Sequence, residues 1–307
     1  MHHVLGPDRP NLHAHFSRAA QAVLEVASGD SISFSTPDVA WGIEPPTSTI
    51  APRRKVEPRD PARDNGPCMC GPVAVRGARA GDVLEIAIER VRPVAWGWTY
   101  AGAGMSTPAL NRALGIGDAP LTLARWALDR QRGTATSDSG LAVPMRPFPG
   151  IIGLAPDADH SSGWTPGPTG GNMDCRELIE GTTLFLPVMV DGALLSVGDG
   201  HAAQGDAELS GTAIECALEE LCLRLTLRRD MNLAGPVART SAGWVTLGFA
   251  PTLDAAAEQA AGAMLDVMTR ELGVARAEAL ALASACVHLR VTQIVNPLRG
   301  VHALWAV

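Results

Sequence analysis

The chain has 307 residues and a net charge of −7, from 25 Lys and Arg against 32 Asp and Glu. This acidic balance excludes the basic surface that nucleic acids need and the polybasic surface that anionic membranes attract. Hydrophobic residues make up 46% of the chain and aromatic residues only 4%, while Gly and Pro number 32 and 23. This composition predicts a globular protein with a sizeable core and short elements joined by tight turns.

The location of the protein can be predicted from what the sequence lacks. No apolar run reaches the length of about 18 residues that a membrane-spanning helix needs. The first 16 residues also lack the basic start and apolar stretch of a secretory signal. Six cysteines without CxxC spacing indicate reduced thiols and argue against a disulfide framework or a thiolate zinc site. We therefore expect a cytoplasmic protein with no membrane or nucleic-acid partner.

Strand patterns dominate the chain from its start to about residue 250. Apolar and polar residues alternate most clearly at 221–227, and a strand at 83–91 follows a Gly-Asp turn signal. Further strands are predicted at 23–26, 31–34, 184–190, 193–197, 245–249 and 287–291, with the apolar section 184–197 read as a hairpin. The Pro- and Arg-rich segment 44–71 is predicted to be an extended excursion or a subunit-contact loop.

Helical periodicity appears only late in the chain. Apolar residues follow three- and four-residue steps from 253 to 272, and Gly273 stands where such a helix would end. A second helix is predicted at about 276–285. Because these helices follow a long β region and do not alternate with strands, we predict a β-dominant α+β fold.

Chemically active side chains are concentrated among glycines between residues 166 and 215. Asp199 and His201 stand two residues apart, so both point to one side of an extended segment. Asp174, from an earlier glycine-rich loop, could supply a third ligand to a borderline divalent ion. Glu215 lies in an apolar run, where a carboxylate is costly unless it is paired, hydrogen-bonded or metal-bound. Together these residues predict a site for metal-assisted hydrolysis.

Each of these residues also has a structural interpretation. Asp199 could form an Asx turn, Asn172 could cap a turn, and His201 could be a hydrogen-bonded core residue. Two alternative functions therefore stay open at this point. One is a Cys-dependent amidase that uses Cys175 or Cys216 as nucleophile and His201 as base. The other is a non-enzymatic β-sandwich with a structural ion site.

Three motifs carry a resemblance to a known family. Residues 170–174 (GGNMD), 194–208 (LLSVGDGHAAQGDAE) and 211–215 (GTAIE) resemble the acetamidase/formamidase family. Similar residues extend to 81–85, 148–156, 289–296 and 300–303, so the resemblance covers almost the whole chain. It implies a single domain over residues 1–307, with a subdivision near residue 150, and a β-sandwich-like core with the C-terminal helical pair packed on it.

The resemblance also implies an activity and its requirements. The expected reaction is hydrolysis of a small formamide- or acetamide-like amide, or of a small lactam, to a carboxylate and ammonia or amine. A divalent metal is implied, with zinc expected and calcium as the alternative in the form of a structural ion. A homo-oligomer is implied as well. The identity of the amide stays open, because the chain departs from the family pattern at Cys175, Gly200 and Ala207.

The set of polar residues described above suggests metal-binding roles, to which the resemblance adds two candidates. Asp174 and His201 are the preferred metal ligands. His13 and Asp38 are further candidate ligands, because the N-terminal region resembles the family's His-containing start. Glu215 is predicted to be the general acid and base.

The same set of residues suggests roles in catalysis and substrate binding. Asp199 is predicted to be a second catalytic carboxylate, and Asn172 to donate a hydrogen bond to the developing oxyanion. Gly170, Gly171 and Gln204 are predicted to bind the substrate.

Overall fold

Strands make up 41% of the structure and helices 13%, which confirms the predicted β-dominant α+β fold. The structure is a computed structural model that describes residues 1–104 and 108–306. The first eleven strands are β1 (His2–Leu5), β2 (Leu12–His13), β3 (His15–Phe16), β4 (Leu24–Val26), β5 (Ser31–Thr36), β6 (Met69–Val75), β7 (Val83–Pro93), β8 (Trp96–Ala101), β9 (Thr122–Asp129), β10 (Thr134–Ser137) and β11 (Ala142–Pro144).

The second half of the chain adds further strands and two long helices. The strands are β12 (Phe148–Gly153), β13 (Ser161–Ser162), β14 (Gly170–Asn172), β15 (Thr183–Pro187), β16 (Leu195–His201), β17 (Glu215–Cys216), β18 (Leu218–Arg228), β19 (Val237–Thr240), β20 (Gly243–Ala250), β21 (Val287–Gln293) and β22 (Arg299–Ala306). The two long helices are α2 (Leu253–Leu272) and α3 (Arg276–Cys286). The first half of the chain contains the short helix α1 (Pro108–Ala113) and a 3-10 helix at Arg9–Asn11.

Two large sheets hold most of the described strands. The first has the order β1-β5-β18-β7-β15-β19-β20-β22-β21. The second has the order β11-β10-β9-β8-β17-β16-β12-β14, and β6 joins it by pairing with β16, β2 and β4. Apolar residues from both sheets, including Ile32, Leu223, Val73 and Val197, are buried in one core cluster. The two sheets therefore share a hydrophobic core.

The predicted strands are confirmed, but the predicted hairpin over residues 184–197 is wrong. β15 pairs with β7 and β19 in the first sheet, whereas β16 pairs with β12, β17 and β6 in the second. Between them Ala193 and Leu194 have positive φ values of 61° and 57°. The chain therefore passes from the first sheet to the second between β15 and β16. As a result β16, which carries Asp199 and His201, lies in the second sheet.

The two C-terminal helices match their predicted positions. The Thr252 side chain accepts a hydrogen bond from the Ala255 N–H at the start of α2, and Gly273 ends that helix with a φ of 68°. One face of α2 buries Ala260, Met264 and other apolar residues against β20 and β22. Neither α2 nor any other described helix has the length and apolar character needed to cross a membrane.

The Pro- and Arg-rich segment 44–71 covers two tryptophans. The Arg59 guanidinium lies 3.8 Å from the Trp41 ring centroid, and that of Arg53 lies 5.4 Å from the Trp98 ring centroid. Such cation–π contacts stabilise both partners. The segment thus packs on its own chain, and its role as a subunit contact stays a prediction.

Candidate active site

Strand β16 supplies the first two side chains of the site. Its glycines alternate with Asp199 and His201 because neighbouring backbone comes very close to the strand. A Cβ atom at Gly198 would lie 2.3 Å from the Cys68 carbonyl oxygen, and one at Gly200 would lie 2.6 Å from Leu218 Cγ. Only glycine fits at these positions without displacing a neighbour.

Pairing in the second sheet brings Glu215 to the same place. His201 on β16 lies opposite Glu215 on β17, and directly opposed residues of antiparallel strands have neighbouring side chains. His201 Nε2 lies 3.2 Å from Asp199 Oδ1 and 3.4 Å from Glu215 Oε2. The imidazole is therefore placed between the two carboxylates.

Two more carboxylates complete an acid–imidazole cluster. Ligand atoms of Asp174, Asp199 and His201 lie within 4.8 Å of one another, as do those of His201, Glu208 and Glu215. All five side chains are buried. We call this set the acid–imidazole cluster. It brings together Asp174, Asp199, His201 and Glu215, as the sequence predicted.

Several atoms of the cluster are buried without a hydrogen bond. Among the described residues, Asp199 Oδ1, His201 Nε2, Glu208 Oε2 and Glu215 Oε2 have no hydrogen-bond partner. Asp199 Oδ1 and Glu215 Oε2 are in ion-pair contact with His201 Nε2 but do not form hydrogen bonds with it. Buried polar atoms are almost always hydrogen-bonded, and a cation among these atoms would satisfy them together. Carboxylate oxygens and one imidazole nitrogen form a donor set that suits a borderline divalent cation. The residues present thus fit the metal that the sequence implied.

Burial perturbs the protonation of every member of the cluster. It raises the pKa of Asp174 to about 7 and that of Glu215 to about 8, and it raises the pKa of Glu208 well above its usual value. Burial acts to lower the pKa of His201, but Glu215 and Asp199 outweigh it and raise that pKa. Burial acts to raise the pKa of Asp199, but His201 outweighs it and lowers that pKa. Without a cation, the cluster must therefore hold protons near neutral pH.

Gln204 orients the imidazole. Its Oε1 lies 3.0 Å from His201 Nδ1, and its Nε2 donates to the Asp174 carbonyl oxygen at 2.8 Å. The Nδ1 atom is thereby engaged, so Nε2 is the ring nitrogen that faces the carboxylates. Such outer partners fix the tautomer and direction of a metal-binding histidine. Gln204, predicted to bind substrate, is thus placed behind His201.

Two asparagines hold the carboxylates in position. Asn296 Nδ2 donates to Asp174 Oδ2 at 2.5 Å and to the Asn172 carbonyl oxygen at 3.2 Å. In the orientation that satisfies its neighbours, the Asn172 amide nitrogen donates to Asp174 Oδ1 and Asp199 Oδ2, both at 3.2 Å. Asn172 lines the cavity described below, and its amide donor is directed at the two carboxylates.

The structure does not bring Asp38 into the cluster. The Asp38 carboxylate accepts hydrogen bonds from Trp98 Nε1 at 2.8 Å, from Arg53, and from the N–H groups of Ala40 and Gly42. Both carboxylate oxygens are thus engaged: Oδ1 accepts from the two backbone N–H groups, and Oδ2 accepts from Trp98 and forms a buried ion pair with Arg53. Asp38 therefore fixes Trp98 and is not free to bind a metal.

His13 also lies outside the cluster. Its Nδ1 lies 2.9 Å from the His15 carbonyl oxygen, and its Nε2 lies 3.0 Å from Ser196 Oγ. With both ring nitrogens engaged, His13 has no free ligand atom. Burial lowers its pKa to about 4, so the ring is neutral near pH 7.

Gly170 and Gly171 have a packing role in β14. Both adopt positive φ, 84° and 103°. A Cβ atom at Gly170 would lie 2.5 Å from the Ile152 carbonyl oxygen on β12. These glycines permit the close β12–β14 pairing that places Asn172, and they do not line the cavity that the described residues form.

A cavity of about 430 Å³ opens onto the acid–imidazole cluster. One part of its wall is polar and includes Asn172, Asp174, Asp199, Glu208 and Glu215. The remainder is largely apolar. A concave site with convergent polar groups and perturbed pKa values is the expected form of an active site.

Sequence reasoning gave no role to three residues that the structure places in or against the cluster. Glu208 follows Asp206 at the same two-residue spacing as Asp199 and His201, and that spacing was the available signal. Asn296 gave no local signal. Gly150 packs so tightly that a Cβ atom there would lie 2.7 to 2.8 Å from atoms of the cluster.

Comparison with known proteins identifies the family. The model of the acetamidase/formamidase family matches residues 8–166 and 164–238. A Schizosaccharomyces pombe protein named "Putative formamidase" is 28% identical over 231 residues, which cover 55% of this chain and 56% of the relative. An acetamidase from Mycolicibacterium smegmatis is 26% identical over 208 residues, which cover 48% of this chain and 50% of that acetamidase. The chain thus spans about half the length of the curated relatives it matches.

A solved structure agrees over nearly the full length. The crystal structure of an acetamidase from Bacillus halodurans superposes with a TM-score of 0.85 at 31% identity, covering 99% of this chain and 97% of that one. The family match extends over more than half of the chain, and the fold match includes both sheets and the C-terminal helices. The chain therefore belongs to the acetamidase/formamidase family, whose named members are amidases.

Proposed function

We propose that the chain hydrolyses the carbon–nitrogen bond of a small amide to a carboxylate and ammonia, assisted by a divalent metal for which zinc is the expected ion. The observation that supports this most is the set of orphaned oxygen and nitrogen atoms of Asp199, His201, Glu208 and Glu215 beside an open cavity. A purely structural ion site would be closed on all sides by protein groups, whereas this one opens into a space for a substrate.

The metal and its ligands have separate tasks in this proposal. Asp174, Asp199 and His201 would hold the ion, with Glu208 as a further carboxylate ligand. A divalent cation supplies polarisation of the amide carbonyl and makes a nearby water more acidic. Gln204 keeps His201 Nε2 directed toward the ion.

Glu215 is the proposed proton carrier. Its Oε1 accepts a hydrogen bond from the Ala213 N–H at 2.9 Å, while its Oε2 has no hydrogen-bond partner and only the ion-pair contact with His201. A carboxyl group with a pKa close to the working pH can accept a proton from water and return it to the leaving nitrogen. In the metal-free protein burial raises the pKa of Glu215 to about 8, and a nearby cation would lower that pKa because it favours the carboxylate.

A thiol mechanism has less support from the geometry. Cys175 and Cys216 are fully buried. Burial raises the pKa of Cys175 to about 12 and that of Cys216 well above its usual value. A thiol nucleophile needs a lowered pKa and access to substrate. Hydrolysis that survives replacement of both cysteines by alanine would separate the two mechanisms.

The test is ammonia release from formamide and acetamide, and ring opening of a small lactam to its amino acid, before and after chelation. We expect activity that chelation removes and added metal restores. Glu215→Gln should lower kcat by about 100-fold or more, whereas Glu219→Gln, at an exposed ion pair with Arg130, is the matched control. Unchanged activity in chelated protein would refute metal assistance.

The cytoplasmic location and the homo-oligomer stay predictions.

A further inference from the structure

The cavity is larger than a formamide-sized substrate requires. Its volume of about 430 Å³ lies within the range of roughly 300–1,000 Å³ that accommodates drug-sized ligands. Formamide and acetamide would occupy only a small part of this space next to the cluster. The remainder would stay filled with water unless the substrate carried a further group.

Aromatic side chains are concentrated on the apolar part of the cavity wall. The chain has seven Trp, five Phe and a single Tyr. That Tyr and two of the Trp line the cavity, as Tyr100, Trp98 and Trp164. The apolar wall is completed by Val39, Val295 and Pro297. A chain so poor in aromatic residues thus places three of them beside its catalytic carboxylates.

The inner part of this wall is held in place before any ligand binds. Trp98 is only 3% exposed, and its Nε1 donates to the buried Asp38 carboxylate at 2.8 Å. The Arg53 guanidinium lies over the Trp98 ring, 5.4 Å from its centroid. Tyr100 lies two residues further along β8, with its ring centroid 4.8 Å from that of Trp98 and a tilt of 49°. Preorganised rings bind a ligand without a cost for ordering them.

The polar part and the aromatic part of the cavity wall would contact different parts of the substrate. Asp174, Asp199 and Glu215 would face the amide group, and the aromatic residues would face what the amide carries. The proposed reaction releases ammonia, so the additional group belongs to the acyl part. We propose that the preferred substrate is a carboxamide whose acyl group carries a flat, aromatic ring, and that Trp98, Tyr100 and Trp164 determine this specificity. This inference rests on the proposed amidase function.

The test compares kcat/KM for acetamide, benzamide and phenylacetamide in the metal-loaded protein. Contacts between aromatic rings contribute roughly 2- to 10-fold in affinity beyond the burial of area. With the burial of the ring added, we expect at least one aromatic amide to exceed acetamide by about tenfold or more.

Variants of the wall should change selectivity. In Tyr100→Leu and in Trp164→Leu, the ratio of kcat/KM for phenylacetamide to that for acetamide should fall about fivefold or more. Trp164 is 41% exposed, so its replacement should not prevent folding, and a thermal melt checks this. Trp96→Leu is the matched control, since Trp96 lies on the same strand but lines a different depression with Arg125 and Asp138.

The outcomes separate this inference from the proposed function. If acetamide is hydrolysed with a kcat/KM at least equal to that of both aromatic amides, the aromatic specificity is refuted and the amidase function stands. If the ratio is unchanged in both wall variants, the role of the wall is refuted. If no amide releases ammonia, both proposals fail.

Discussion

Replacing Gly150 by alanine would insert one methyl group into the acid–imidazole cluster. The new Cβ atom would lie 2.7 Å from His201 Cε1 and 2.8 Å from both Asp174 Oδ1 and Asp199 Oδ2. Ordinary contacts begin at 3.4 Å, so these atoms must move apart by 0.6 to 0.7 Å. The three side chains are buried, and none of them can swing into solvent.

The magnitude of the effect follows from this displacement. A misplacement of about 1 Å in a catalytic group can cost about 100-fold in rate, and we expect a loss approaching that in kcat/KM. Overpacking a buried position costs about 1–3 kcal/mol, which corresponds to a fall in Tm on the order of 5 °C for a chain of this size. The variant should therefore fold at room temperature and still be nearly inactive.

Steady-state ammonia release and a thermal melt measure the two effects on the same preparation. Gly235→Ala is the control, because no atom lies within 4 Å of its added Cβ. A Gly150→Ala protein with wild-type kcat/KM would show that the positions of Asp174, Asp199 and His201 do not limit the reaction. That result would refute the proposed site.

Three further predictions concern metal binding and stability. Gln204→Leu should weaken metal affinity by about 10- to 100-fold, measured by calorimetry, because His201 loses the partner that orients it. In chelated protein, the raised pKa values of Asp174 and Glu215 mean that the folded state binds more protons than the unfolded state. Its Tm should therefore fall as the pH rises from about 4, near the pKa values of the unfolded chain, to about 8, and added metal should remove this slope. Burial lowers the pKa of His302 to about 4. The free energy of unfolding should therefore fall as the pH drops from about 6.5 toward 4, because the unfolded chain binds a proton at His302 before the folded chain does. His302→Gln should reduce this loss of stability at low pH, measured by urea titration.

Local patterns were sufficient to predict most elements of the fold. The alternation at 221–227 lies within β18, and the stripe from 253 to 272 coincides with α2, which Thr252 and Gly273 cap. These signals are contained within one element. The separation of β15 and β16 into different sheets was not predictable, because two adjacent apolar strands do not specify their partners.

The site was predictable where its residues share an element or an environment. Asp199 and His201 share β16, and Glu215 was marked by its apolar neighbours. Glu208 lies in a turn with a φ of 52°, and this conformation places it in the cluster. The local sequence gives no signal for that conformation. Asp38 carries the right chemistry for a ligand, but no sequence pattern shows that Arg53 and Trp98 occupy it.

Calorimetric titration of zinc into chelated protein is the decisive measurement for the proposed metal site. We expect the ion to bind at a single site per chain and to release protons on binding, because the ligands must be deprotonated. Asp199→Asn and His201→Ala should each weaken this binding severely, while Asp38→Asn should retain it. No binding to the wild-type protein, or binding that survives the loss of both Asp199 and His201, would contradict the account.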